Sequence, residues 1–167
     1  MCIRDRKYYT IGWGHYLNGG KRSRDNFAQA FPNKKYNDFM LGKGSITEKE
    51  ADVLFQIDLE SRMGEVVNLT ENDNDGKPFN GLKFEGFSLN LRKHIISATY
   101  RGSWGYSEKT RELLAASRFK EAAQEFKNSD EYRNAIRDGL PGVRTRMDAV
   151  AQAILDEEKR FKKENKE

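Results

Sequence analysis

The sequence predicts a segregated fold class, with a strand-bearing start, one long helix, and a helical remainder. Three observations predict it: an aromatic stretch punctuated by Gly12 and Gly14, a strong helix-start signal at Thr47, and apolar residues at helical spacing through the second half.

A chain of 167 residues has the volume for one compact domain, or one domain of two lobes, around a real core. No second independent domain is expected. Apolar residues make up 37% and charged residues 34%, too polar for a membrane protein and too rich in Phe, Tyr, Leu and Ile for disorder. No apolar run approaches the roughly 20 residues of a bilayer span, and no charged-then-apolar leader opens the chain. Stable membrane insertion is therefore not expected, and export requires outside help. Cys2 is the only cysteine, which rules out an intramolecular disulfide and suits cytoplasmic synthesis. The 30 Lys and Arg against 26 Asp and Glu give a net charge of +4. That excess favours an anionic partner such as cell wall or nucleic acid, or reflects an ordinary solvated surface. The clustered charge and aromatic interleaving of a nucleic-acid footprint are missing, so nucleic acid is not the expected partner.

The opening Met1-Cys2-Ile3-Arg4-Asp5-Arg6 has no helical or strand period. It is read as a non-native leader over residues 1–6, with true sequence lost upstream. From Lys7 to His15, Tyr8, Tyr9, Thr10, Ile11 and Trp13 are broken by Gly12 and Gly14, a pattern for one short strand with close backbone approaches. Leu17-Asn18-Gly19-Gly20 reads as a turn. Arg24 to Phe31 fits a short helix ended near Pro32, and Phe39 to Gly44 reads as loop.

Thr47-Glu48-Lys49-Glu50 is a capping box, in which the Thr hydroxyl takes a free helix N–H and Glu50 reaches back. The apolar stripe Ala51, Leu54, Phe55, Met63 and Val66 carries that helix to about Val67 as a connector over 47–67. Thr70 to Pro78 breaks the pattern. Its Asp-Asn-Asp-Gly run has oxygen ligands but lacks calcium-loop spacing and the terminal bidentate Glu, so a surface loop is expected and no metal. Beyond it, Asn80 to Arg101, Glu108 to Ser117, Arg118 to Asn128 and Met147 to Lys162 read as helices of a bundle-like lobe. Gly102, Gly105, Gly139 and Pro141-Gly142 mark breaks. The tail Lys159 to Glu167 is charged and apolar-poor, so its end is expected to fray.

Tyr8-Tyr9-Thr10-Ile11-Gly12-Trp13-Gly14-His15 resembles the signature strand of phage-type lysozymes, the glycoside hydrolase family that includes the enzyme of T-even bacteriophages. The stretch from Ile46 through Leu54-Phe55 to Asp58 is similar to the start of that family's interlobe helix. Phe119-Lys120-Glu121-Ala122-Ala123, Tyr132 and Arg144-Thr145-Arg146 follow in the family's order and spacing. The resemblance covers roughly Lys7 to Leu155. It implies an α+β, lysozyme-like fold: a small β-containing N-terminal lobe (1–46, incomplete), an interlobe helix (47–67), a mostly helical C-terminal lobe (68–167), and substrate in the cleft between the lobes. The implied reaction is hydrolysis of the β-1,4 bond between N-acetylmuramic acid and N-acetylglucosamine in bacterial peptidoglycan, by a monomer without cofactor. The enzyme would be made in the host cytoplasm and reach the wall after export or holin-type release.

Glycoside hydrolysis needs a carboxylic acid at the leaving oxygen and usually a second carboxylate near the anomeric carbon. By the resemblance the acid is a Glu about fifteen residues before Thr10, which places it upstream of Met1. The second carboxylate aligns with Arg4, and Asp5 beside it is the candidate substitute. Thr10 matches the family's catalytic Thr, whose hydroxyl orients the attacking water. His15 and Asp58 match a structural pair that ties the first lobe to the interlobe helix. Gly14, Tyr16, Tyr100, Arg101, Thr110 and Glu125 match sugar contacts. Arg101 replaces a family amide, and either holds a lactyl or peptide carboxylate of the wall or is plain surface charge. Trp104 either stacks on sugar or belongs to the core. The alternative function on the same fold is an inactive wall-binding or phage-tail structural module.

Overall fold

A computed structural model describes residues 2–5, 8–13, 15–17 and 19–164. The architecture is mostly helical with a small antiparallel sheet. The chain divides into two compact units, Met1–Gly64 and Glu65–Glu167. Among the described residues no helix is long and apolar enough to cross a membrane.

The first unit opens with β1 (Cys2–Asp5), β2 (Tyr8–Ile11) and β3 (His15–Tyr16), in the order β1-β2-β3. Two expectations are corrected here. The opening segment, which shows no strand period, pairs antiparallel with β2, and the single strand expected over residues 7–15 is two strands. Gly12 causes the split: its φ of +56° is left-handed, which turns the chain after Ile11. A Cβ there would stand 3.0 Å from the Ala51 Cβ. Gly12→Ala is therefore expected to cost about 1–3 kcal/mol in backbone strain and crowding. Thermal unfolding checks this, and an unchanged melting temperature would contradict it.

Helix α1 (Gly20–Ala30) starts four residues before the expected Arg24. Helix α2 (Tyr36–Met40) occupies part of the expected loop, because Phe39 turns into the core. Ile11, Leu17, Phe27, Phe31, Phe39, Ile46, Ala51 and Leu54 form that core. Phe27 is its centre, meeting Phe31, Tyr36 and Phe39 edge-on at 5.0, 5.1 and 4.9 Å, the arrangement the ring quadrupoles favour.

Helix α3 (Glu48–Glu71) runs past the expected Val67 and across the division between the units. Its capping box forms as expected: the Glu50 N–H donates to Thr47 Oγ1 at 3.3 Å, and the Thr47 N–H donates to Glu50 Oε2 at 2.8 Å. Phe55 leaves the predicted apolar stripe and is exposed.

In the second unit, a 3-10 turn (Phe84–Gly86) precedes α4 (Leu89–Tyr100). The expected helix from Asn80 starts nine residues late, where the Ser88 side chain accepts from the Leu91 N–H and sets the first turn. Helices α5 (Glu108–Ala115) and α6 (Phe119–Phe126) lie within the expected ranges. Helix α7 (Asp130–Asn134), capped by Ser129, was too short to show a period. Helix α8 (Pro141–Glu164) begins at the pair expected to break the chain. Proline fits a first helical position, where its missing N–H has no role. The helix ends two residues past the expected Lys162, where Arg160 bonds Glu157, Glu164 and the Gly86 carbonyl; the end of the tail expected to fray lies outside the described residues. Leu91, Ile95, Ala98, Trp104, Leu114, Phe126 and Ile154 are the interior of this unit.

Candidate active site

Within the first unit the structure brings His15 and Asp58 together and sets Thr10 and Tyr16 opposite each other on paired strands. Thr10 sits on the central strand, paired with Ile3 on one side and Tyr16 on the other, so two ladders fix its backbone, and its side chain is half-buried. Asp5 ends β1 opposite Tyr8; its side chain lies outside the described residues, as does all of Gly14. Tyr16 is half-buried, and its carbonyl accepts from Ser23 Oγ at 2.7 Å and from the Gly19 N–H at 3.1 Å.

His15 is 4% exposed and Asp58 is 6% exposed. Although 43 positions apart, they meet with His15 Nδ1 at 2.8 Å from Asp58 Oδ2 and 3.0 Å from Oδ1. On the other ring edge, His15 Nε2 is 3.0 Å from Ser23 Oγ. Ser23 gives its one hydroxyl hydrogen to the Tyr16 carbonyl, which leaves its oxygen to accept from Nε2 and from Tyr36 Oη at 3.1 Å. Both ring nitrogens are thus engaged, Nδ1 by the Asp58 carboxylate and Nε2 by the Ser23 hydroxyl. Asn26 Nδ2 donates to Asp58 Oδ1 at 2.8 Å and to Ser61 Oγ at 2.9 Å. With both nitrogens engaged, His15 has no lone pair left for general-base work, and its role is to fasten β3 to α1 and α3.

Sequence reasoning missed Ser23, Asn26 and Tyr36. Ser23 and Asn26 stand one turn apart on α1, which puts them on one face, but only the tertiary placement aims that face at His15.

The second unit holds the remaining candidates, which do not converge. Tyr100 is half-buried at the end of α4. Arg101, the next residue, is exposed, bonds Ser97 Oγ through Nη1 at 2.7 Å, and lines a 270 Å³ recess with Ser103, Glu131, Val143, Arg146 and Met147. Partial desolvation of its inner face, then the Arg146 charge, pull its guanidinium below the usual value, against the pull of Glu131. Glu125 is half-buried on α6, lines a separate 620 Å³ groove with residues of α5, and stands 3.7 Å from Lys109 Nζ.

Thr110 is a correction. It is 1% exposed, because Thr110, Leu113 and Leu114 share one inward helix face, so its side chain is closed to a sugar. Trp104 is also a core residue, fully buried with its indole N–H donating to Thr70 Oγ1 at 3.1 Å; this settles the choice against sugar stacking.

No protein-family model matches the chain, and neither a curated protein nor a solved structure is significantly similar to it. Among the described residues no three His, Cys, Asp or Glu side chains converge to hold a metal ion. The Asp73 carboxylate in the loop considered for calcium instead accepts from the Asp75 and Lys77 N–H groups at 2.9 and 2.8 Å, an Asx-type turn. The first unit offers a threonine on the central strand, one ladder position from the buried His15–Asp58 contact; a threonine hydroxyl can orient a water and cannot by itself protonate a leaving group.

Proposed function

We propose that the chain is the larger part of a peptidoglycan muramidase with a lysozyme-like fold, cleaving the β-1,4 bond between N-acetylmuramic acid and N-acetylglucosamine. The observation that supports this reading is the buried contact between His15 and Asp58. The resemblance had paired these two residues across 43 positions, and generic helix-and-strand patterning gives no reason for them to meet. The order of elements, a small sheet with α1 and α2, then the 24-residue α3, then α4 to α8, also fits.

On this reading Thr10 orients the attacking water, while Tyr16, Tyr100, Arg101 and Glu125 contact the wall polymer. By the resemblance the general acid is a helix-borne Glu about fifteen residues before Thr10, a position that these 167 residues do not include. A protein extended by such a helix is expected to clear permeabilised Gram-negative cells. The chain as it stands is expected to be slower by about two to four orders of magnitude, the usual contribution of a positioned acid. Thr10→Ala in the extended protein is expected to lose most of the restored rate while retaining wall sedimentation. Wall binding without cleavage by either form would favour the inactive binding module, and equal clearing by both would show that the acid lies elsewhere.

A further inference from the structure

The two tryptophans have opposite fates. Trp104 is fully buried, whereas Trp13, in the turn between β2 and β3, is 56% exposed. Its ring is nonetheless fixed, because Nε1 donates to Asp52 Oδ1 at 2.8 Å on the first turns of α3. An aromatic ring held at its polar edge with its face in water forgoes burial that would stabilise it, and gives a rigid contact surface that loses little entropy when covered.

Beside the ring is a 250 Å³ recess with a floor of Gly12, Ile46 and Ala51 and a rim of Thr47 and Glu48. Its volume is below the range of about 300–1,000 Å³ that accepts drug-sized ligands, so the recess suits a single ring or smaller group. Thr47 is committed to the capping box with Glu50. Glu48 is exposed, and among the described residues no hydrogen bond or ion pair engages its carboxylate. The Glu48 carboxylate on the rim disfavours an anionic group and accepts from N–H or O–H donors, while the apolar floor of Ile46 and Ala51 gives a charged group no partner.

We propose that Trp13 and Glu48 form a stacking subsite for one neutral N-acetylhexosamine ring of a glycan strand. The C–H face of the sugar lies against the electron-rich indole face, the Glu48 carboxylate accepts from a hydroxyl or the amide N–H, and the acetyl methyl rests on Ile46 and Ala51. The same rim rejects the lactyl carboxylate of N-acetylmuramic acid, so N-acetylglucosamine is the preferred ring. The proposal rests on the muramidase reading only in naming a wall glycan as the source of that sugar.

The test is a tryptophan-fluorescence titration of the full chain with tri-N-acetylchitotriose, repeated with N-acetylmuramic acid and with lysine amide. The buried Trp104 supplies a constant background. A saturable change in emission and protection from acrylamide quenching are expected with the trisaccharide. Because Trp13→Ala removes the reporting indole, that variant is titrated by calorimetry, where it is expected to abolish the binding heat that the unaltered chain shows; Glu48→Gln is expected to weaken binding about tenfold, the loss of one charge-assisted hydrogen bond. No saturable response, or a response surviving Trp13→Ala, would overturn the subsite. So would a response to lysine amide alone, which would mark a cation site. Sugar binding at Trp13 without wall cleavage by the extended protein would leave the subsite standing and remove the muramidase reading; wall cleavage without sugar binding at Trp13 would do the reverse.

Discussion

Asp58→Ala is expected to destabilise the protein by about 3–5 kcal/mol, the cost of removing one partner from a buried ion pair. The loss goes beyond one bond. His15, at 4% exposure, would keep an Nδ1 donor with no acceptor, and Asn26 would lose one of its two partners. Asp58→Asn retains the shape and one acceptor oxygen but replaces the carboxylate that faces His15 and Asn26 with a neutral amide, so an intermediate loss is expected. Urea unfolding at constant pH measures both. A loss below about 1 kcal/mol for Asp58→Ala would mean that the pair is solvated and that the network does not hold the first unit together.

Arg111→Met is expected to cost a similar amount, about 3–5 kcal/mol, from a residue that sequence analysis did not single out. Arg111 is fully buried on α5, and among the described residues its hydrogen-bond partners are carbonyl oxygens and not carboxylates. Its guanidinium donates to the Leu69 and Asn72 carbonyls, the latter at 2.8 Å, and to Asn74 Oδ1 at 2.8 Å. The Leu69 carbonyl belongs to the last turn of α3, whose final carbonyls have no partner within the helix. A cation there also opposes the negative end of the helix dipole. Burial holds the guanidinium below its usual pKa, with Glu108 and then Asp73 acting in the other direction. Methionine fills much of the space but leaves these acceptors without their donors, at roughly 1–3 kcal/mol each. Arg111→Lys is expected to rescue only part of the loss, because an ammonium cannot reproduce the fork. Hydrogen exchange over residues 69–77 should accelerate in Arg111→Met; unchanged exchange there would show that another group terminates α3.

These two residues also show where sequence reading works and where it stops. The start of α3 was legible because a capping box is a local, four-residue device, and all of its bonds form between Thr47 and Glu50. The end of α3 was not, because tertiary bonds set it: Arg111 and Trp104 hold its last turn. Pro141 was read as a break when it is a start, since the same residue serves either end of a helix boundary and only the following chain decides. In the candidate site, His15 and Asp58 were legible through resemblance, while Ser23 and Asn26 carry no signal beyond their spacing. Thr110 failed as a sugar contact because a polar residue at an inward helical position looks the same in sequence as one at an outward position.

The most direct test of the muramidase account is the chemistry of the chain ends it produces. Purified peptidoglycan digested with the helix-extended protein, reduced with borohydride and analysed by mass spectrometry, is expected to show new reducing ends on N-acetylmuramic acid, each accompanied by the gain of one water. New reducing ends on N-acetylglucosamine, anhydro ends formed without water, or an intact polymer would contradict it.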